Sequence, residues 1–316
     1  MTGGGTGPAR PRLVVVTGPT GTGKSELAVL AAEELGAEIV NCDSLAFYRH
    51  LDIGTAKPGP SDRARVPHHL LDILDPDEDF SAADFLRLAR PLIAEIISRG
   101  KIPLVAGGTG LYLRSLTGGL FEGPGRDQRY RDELMESFAR GTDPHALLTG
   151  LDPLAAARIK PSDTVRIVRA LEVLKLTGRS IVALQQAHAL ADRPYETLVL
   201  VMDRPPEETE ARLRLRTGAM LANGLVEETK SLLARGYGPR LKPLRSVGYR
   251  ECLEYLDGRL TLAEARERIF IRTRQLAKRQ RTWFRGQAPE ARWTPPDPAV
   301  VMPLIREFLG AGAPGV

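Results

Sequence analysis

The stretch Leu13–Ala28, LVVVTGPTGTGKSELA, constrains the fold more than any other part of the chain. A short apolar, β-branched run leads into a glycine-rich turn, and the turn opens what reads as a helix. Gly18, Gly23, Lys24 and Ser25 fit the pattern G-x-x-x-x-G-K-[ST], in which backbone amides cradle linked phosphates at a helix N-terminus. Gly18, Pro19, Thr20, Gly21, Thr22, Gly23, Lys24 and Ser25 are therefore expected to bind a diphosphate or nucleotide. Lys24 should neutralise the terminal phosphate, and the Ser25 hydroxyl should ligate Mg2+.

A strand that feeds a helix through such a turn belongs in a parallel sheet with ligands at the strand carboxyl ends. Up to about residue 115 the chain alternates the two element types. RLVVVTG reads as a buried strand and Lys24 to Leu35 as a helix ending near Gly36. AEIVNCDS reads as a second strand with Asp43 at its carboxyl end. In SAADFLRLARPLIAEIISRG, Ser81 is an N-cap candidate with Asp84 in the capping-box position. KIPLVAGGTGLYLRSL supplies another strand, a glycine turn and a helix. From about Phe121 to Arg193 the segments read as helices, and ETLVLVMDRP then returns as an apolar strand. The expected fold is α/β: a P-loop NTPase-like parallel sheet flanked by helices, with an α-helical insertion domain. Its expected limits are 12–120 and 195–286 for the core with its C-terminal helices, 121–194 for the insertion, and 1–11 and 287–316 for terminal tails.

At 316 residues there is room for one large α/β domain or a core plus a smaller lobe. The chain carries 44 Lys and Arg against 39 Asp and Glu, a net charge of +5. So mild an excess permits a nucleic-acid partner without requiring one, and the placement of the charge matters more. Cys42 and Cys252 cannot build a disulfide framework and lack metal-ligand neighbours at the usual spacing, which fits a reducing cytoplasm. MTGGGTGPARPR has no apolar h-region, and no run approaches ~18 uninterrupted apolar residues, so neither a secretory signal nor a membrane span is expected. His68 and His69 are sequence neighbours, which cannot chelate one metal from a regular strand or helix, and they read as structural.

What the loop does with its phosphates depends on its company. A nucleotide-hydrolysing engine places an acid at the end of a partner strand, whereas KIPLVAGGTG ends in Ala106, Gly107, Gly108 and Thr109. That argues against a motor ATPase. A small-molecule kinase stays open, because Asp43 ends the second strand.

The stretch NCDSLAFYRHLDIGTAKP, Asn41 to Pro58, together with the phosphate loop resembles the tRNA dimethylallyltransferase (tRNA isopentenyltransferase) family. Its members follow a G-P-T-x-x-G-K-[ST] loop with D-S-x-x-x-Y-x-x-x-D-I-G-T-A-K-P. PHHLLDI, FSAADF, AGGTGLYLRSL, RIVRALEV, MLANGLVEE, SVGYRE and TRQLAKRQRTWFR extend the resemblance over roughly residues 12 to 286. It implies that the loop holds the diphosphate of dimethylallyl diphosphate as a leaving group, with Mg2+ as cofactor. The implied acceptor is the exocyclic amine of the adenosine 3′-adjacent to the anticodon, in the tRNA anticodon stem-loop. Asp43 matches the family's base, and Lys24 and Arg216 its diphosphate-stabilising cations. Arg212 and Arg216 lie one helical turn apart on one face, and by resemblance Arg216 is the one that contacts the diphosphate. Positions matching tRNA contacts are Asp43, Ser44, Leu45 and Ala46, then Thr109, Arg131, and Val165, Arg166, Ile167, Val168 and Arg169. Ala46 and Val165 stand where many members have Gln, and neither side chain can hydrogen-bond a base. No membrane and no obligate protein partner is implied.

Two alternatives remain at this stage, a P-loop small-molecule kinase and a prenyltransferase acting on free adenine nucleotides. The first leaves DIGTAKP unexplained, and the second the long basic regions. In ERIFIRTRQLAKRQRTWFR, Arg268, Arg272 and Arg279 fall on one flank of a helix. Arg274, Lys278, Arg281 and Arg285 fall on the other, with Ile269, Leu276 and Trp283 between. A docked amphipathic helix with snorkelling edges and a phosphate-contacting surface are both open there.

Overall fold

Strand β1 (Arg12–Thr17) is buried from Leu13 to Thr17, as a central parallel strand covered on both faces must be. It pairs with β4 (Pro103–Gly107) on one side and β5 (Glu196–Met202) on the other. Beyond β4 lie β2 (Glu38–Asn41) and the two-residue β3 (His68–His69), and beyond β5 lies β6 (Arg292–Thr294). The order is β3-β2-β4-β1-β5-β6, and every pairing is parallel. The computed structural model describes residues 10–119, 123–188 and 193–310.

The chain divides into two compact units, one of residues up to Thr117 with those from Pro194 onward, the other Gly118–Arg193. In the first, Val14, Val16, Leu104, Leu200 and Met202 pack against Leu27, Ala28 and Ala31 of the helix Lys24–Leu35. That helix closes at Gly36, φ 61°, whose amide caps Ala32 and Glu33. The helix Ala82–Ser98 opens with the reciprocal Ser81–Asp84 capping box. Phe47, Phe80, Phe85 and Tyr112 form an aromatic cluster, with Phe85 and Tyr112 stacked at 5.1 Å. In the second unit, the helices Gln128–Ala139, Pro144–Leu151, Thr164–Thr177 and Ile181–His188 surround Leu134, Leu148, Ile167, Leu171 and Val182.

Residues 287–316 are not the tail that the sequence reading makes of them. β6 extends the sheet, and the helix Pro298–Leu309 buries Val301, Met302 and Ile305 against the core. The proline-rich stretch before it is a helix start: Asp297 caps the Ala299 amide and Pro298 occupies the first helical turn, where its missing N–H costs nothing. Residues 1–9 and 311–316 of the expected tails lie outside the described residues. β3 was also not foreseen. Its His69 Nε2 meets Glu38 Oε2 at 2.6 Å and His68 Nδ1 meets the Val66 carbonyl at 2.7 Å, which uses the pair structurally.

Candidate active site

β1, β2 and β4 end side by side, and the segments that leave their carboxyl ends build one cleft. Gly107 makes this possible, because a Cβ there would lie 2.2 Å from the Cys42 carbonyl carbon. The cleft is lined by Thr20, Lys24 and Ser25 from the phosphate loop, Asn41, Asp43 and Ala46 from the β2 end, and Arg216 from the helix Pro206–Ala222. Ala28, Ile39, Leu71 and Ala106 give it an apolar part, and Thr55 to Pro58 close a further side. It encloses about 640 Å³ of space free of protein atoms, its open mouth included.

The phosphate loop is fixed from outside. Gly23 sits at the helix N-cap with φ 94°, a conformation other residues adopt only under strain. Arg204 Nε donates to the Thr22 carbonyl at 2.9 Å and Arg212 Nε to the Gly21 carbonyl at 3.2 Å. Both guanidiniums thus engage carbonyl oxygens, the part of the loop that would repel an anion. The Thr22 hydroxyl is buried and donates to the Pro19 carbonyl at 2.9 Å, so Thr22 can offer a phosphate only its amide. Arg212 therefore braces the loop, while its neighbour one turn on, Arg216, lines the cleft.

Asp43 is half-buried and held in a tight turn. Its Oδ1 accepts from the Leu45 amide at 3.1 Å, and its own amide donates to Asn41 Oδ1 at 3.0 Å. Thr109, just past β4, accepts the Ser44 amide on its hydroxyl at 2.9 Å and donates its own amide to the Cys42 carbonyl. Lys24, Asp43 and Arg216 make no direct ion pair within the cleft, yet their charges act on one another. Burial pulls the Lys24 ammonium down to about 8, with Asp43 opposing and Arg216 assisting. Burial also lowers the Arg216 guanidinium, against Asp43. Burial raises both thiols, Cys252 to about 11, so neither cysteine is a ready nucleophile.

The family model for IPP transferase matches residues 46–287. The chain belongs to the IPP transferase family. It is 49% identical over 288 residues to the tRNA dimethylallyltransferase of Geobacter sulfurreducens, covering 90% of this chain and 92% of that one. It is 51% identical over 278 residues to that of Geobacter metallireducens, covering 87% and 90%. Among solved structures, the full-length tRNA isopentenylpyrophosphate transferase of Bacillus halodurans matches with a TM-score of 0.71 and 38% identity, over 96% of this chain and 97% of that one. A eukaryotic dimethylallyltransferase acting on tRNA matches with a TM-score of 0.73 and 29% identity, over 87% and 70%.

In this IPP transferase the sequence-expected residues do not all reach surfaces. Within Val165–Arg169, Val165 is 82% exposed, but Ile167 is 0% and Val168 7% exposed. Both of the latter pack in the core of the unit Gly118–Arg193, so their side chains cannot contact RNA. Arg131 and Arg169 are both committed to Glu172, which is fully buried. Arg131 forks onto it through Nε and Nη2 at 2.7 Å each, and Arg169 Nη1 reaches it at 2.5 Å. Burial alone would raise the Glu172 carboxyl, but the two guanidiniums and the Asp127 amide hold it at about 2.

Gln280, in the helix Leu262–Gln287, was not singled out by sequence. Its Oε1 accepts the Thr20 amide at 2.9 Å and its Nε2 donates to the Gly108 carbonyl at 3.0 Å, tying the phosphate loop to the β4 turn. The same helix resolves the two readings of its basic edges in part. Arg268 pairs with Glu254, Arg272 with Glu251, Arg274 with Glu210 and Arg281 with Asp203, as a docked helix requires. Lys278 and Arg279 make no ion pair among the described residues. No helix among the described residues is long and apolar enough to cross a membrane.

Proposed function

We propose that this protein transfers the dimethylallyl group of dimethylallyl diphosphate to the exocyclic amine of the adenosine 3′-adjacent to the anticodon of tRNA. The observation that carries the reading is a single cleft whose lining brings together Thr20, Lys24 and Ser25 of the glycine-rich loop, the cation Arg216 and the carboxylate Asp43. The family to which the chain belongs supports the same assignment.

The amine nitrogen attacks the first carbon of the allylic chain, the carbon–oxygen bond breaks, and diphosphate leaves with the electron pair. An exocyclic adenine amine is a weak nucleophile, and Asp43 takes its proton as the carbon–nitrogen bond forms. Lys24, Arg216 and the amides of Gly21 and Gly23 stabilise the charge that builds on the departing diphosphate. Ser25 lines the cleft at the helix head, and its hydroxyl makes no hydrogen bond among the described residues, which suits a hard cation shared with diphosphate oxygens. Mg2+ held there would supply further charge neutralisation to the leaving group. Among the described residues no cluster of three or more His, Cys, Asp or Glu forms that could hold a metal ion.

An RNA acceptor must present its base unstacked to reach a carboxylate in a cleft. We assign its contacts to Asp43, Ser44, Leu45, Ala46 and Thr109 at the cleft, and to Arg131, Val165, Arg166 and Arg169 on the helical unit. The test uses purified protein, Mg2+, unmodified anticodon stem-loop RNA and radiolabelled dimethylallyl diphosphate. Label should enter the RNA and be lost when the adenosine 3′ of the anticodon is replaced. Label entering free adenine nucleotides but not RNA would overturn the acceptor.

A further inference from the structure

One side of the cleft is made by Thr55, Ala56, Lys57 and Pro58, within the segment Asp52–Pro58. The wall is itself neither strand nor helix. Its own backbone bonds are local, Ala56 amide to Ile53 carbonyl at 3.1 Å and Lys57 amide to Asp52 carbonyl at 3.1 Å, and Ala56 sits at φ 50°. The anchor comes from far along the chain. The carboxylate of Glu228, on the helix Leu225–Ala234, accepts the amides of Asp52 at 3.0 Å, Ile53 at 2.8 Å and Gly54 at 3.2 Å. Three successive amides around one carboxylate form an anion nest. Tyr249 completes it, donating its hydroxyl to Glu228 at 2.6 Å. Gly54 has no alternative there, since a Cβ would lie 2.5 Å from the Tyr249 ring.

Lys57 is among the residues lining the cleft, but its side chain is 1% exposed. Its Nζ already meets Asp52 and Asp72 at 2.6 Å each and the Tyr48 carbonyl at 2.8 Å. Its ammonium is spent on holding the wall from below, as Glu228 holds it from behind. The cleft combines the polar Lys24, Ser25 and Arg216, suited to a diphosphate, with the apolar Ala28, Ile39 and Leu71, suited to an allylic chain, and Ala56 and Pro58 of this wall share the same lining.

We infer that Glu228 is a positioning residue that fixes the Thr55–Pro58 wall and thereby limits the length of allylic chain the cleft accepts. This rests on the prenyl-transfer reading above. Glu228→Gln presents an amide N–H₂ to donors and loses about half of the nest, while Tyr249→Phe removes one bond and keeps the ring that fills the core.

The experiment measures kcat and KM of the full-length protein and both variants with dimethylallyl and geranyl diphosphate on the same stem-loop RNA, beside thermal unfolding. For Glu228→Gln we expect KM for dimethylallyl diphosphate to rise about tenfold and its preference over geranyl diphosphate to fall at least about fivefold, as for loss of charge-assisted hydrogen bonds. KM for RNA should stay within about twofold, because only the donor wall moves. Tyr249→Phe should shift both donor quantities the same way by less, and it decides the matter if Glu228→Gln does not fold. A lowered melting temperature with unchanged donor KM and unchanged preference would show a mere brace and overturn the inference. Wild-type protein that transfers neither chain would instead remove the prenyl-transfer reading, and the inference with it.

Discussion

Raising the pH should weaken donor binding before it harms the fold, because the cleft's lysine titrates early. Lys24 is lowered from 10.5 to about 8 in the unliganded protein. Its ammonium form binds diphosphate, so binding is full below that value and is lost as pH rises through it. For one such group the apparent Kd scales as 1 + 10^(pH − 8), about 1.1 at pH 7 and about 11 at pH 9, a loss of about tenfold. The sign for stability is opposite. Between about pH 8 and 10.5 the unfolded chain holds the Lys24 proton and the fold does not, so rising pH there does not destabilise the fold through this group. The assay is calorimetric titration with dimethylallyl diphosphate at pH 7, 8 and 9 in buffers of differing ionisation enthalpy. Proton uptake on binding should appear above about pH 8, since diphosphate raises the lysine's affinity for its proton. Lys24→Arg, which stays charged throughout, should flatten the pH slope whatever its own affinity. A Kd constant from pH 7 to 9, or an equal slope in Lys24→Arg, would refute the reasoning.

Three further outcomes are expected. Asp43→Asn, which keeps an oxygen for the Leu45 amide, should lower single-turnover transfer by about 10² to 10⁴ while leaving donor binding intact; a rate within about threefold of wild type would remove Asp43 as base. Gln280→Leu strands the amide of buried Thr20 and the carbonyl of buried Gly108 at about 1 kcal/mol each, so KM for the donor should rise about tenfold or more in steady-state kinetics. Glu172→Gln leaves Arg131 and Arg169 facing an uncharged buried amide and should destabilise the unit Gly118–Arg193 by about 3 kcal/mol. Hydrogen exchange should then speed up within that unit and not in β1 to β6, and donor binding should be unchanged.

Much of the donor side was legible because its signals are local. The helix start after Gly23, the Gly36 helix end and the Ser81–Asp84 cap each need only a few adjacent residues, and each stands as read. What was missed depends on long-range packing. Gln280 hides in a basic stretch, although Ala277 and Phe284, three before and four after it, are both buried. A polar residue on the buried face of an amphipathic helix was the available signal. The run Val165–Arg169 misled in the other direction. Five successive residues on a helix of 3.6 per turn cannot all face outward, and Ile167 and Val168 are the inward ones. β6 and the last helix were obscured by prolines that punctuate the chain without ending the fold. The Glu228 nest joins residues more than 170 positions apart, a pairing that no periodicity reveals.

The central claim is that the phosphate loop holds a leaving group rather than a nucleotide that is consumed. The measurement that bears on it most directly is stoichiometric: inorganic diphosphate released against prenyl label fixed in stem-loop RNA, with ATP present and its γ-phosphate labelled. One diphosphate per prenyl group transferred, with the ATP untouched, is the predicted result. Phosphate passing from ATP to any acceptor, or label fixed without matching diphosphate release, would contradict it.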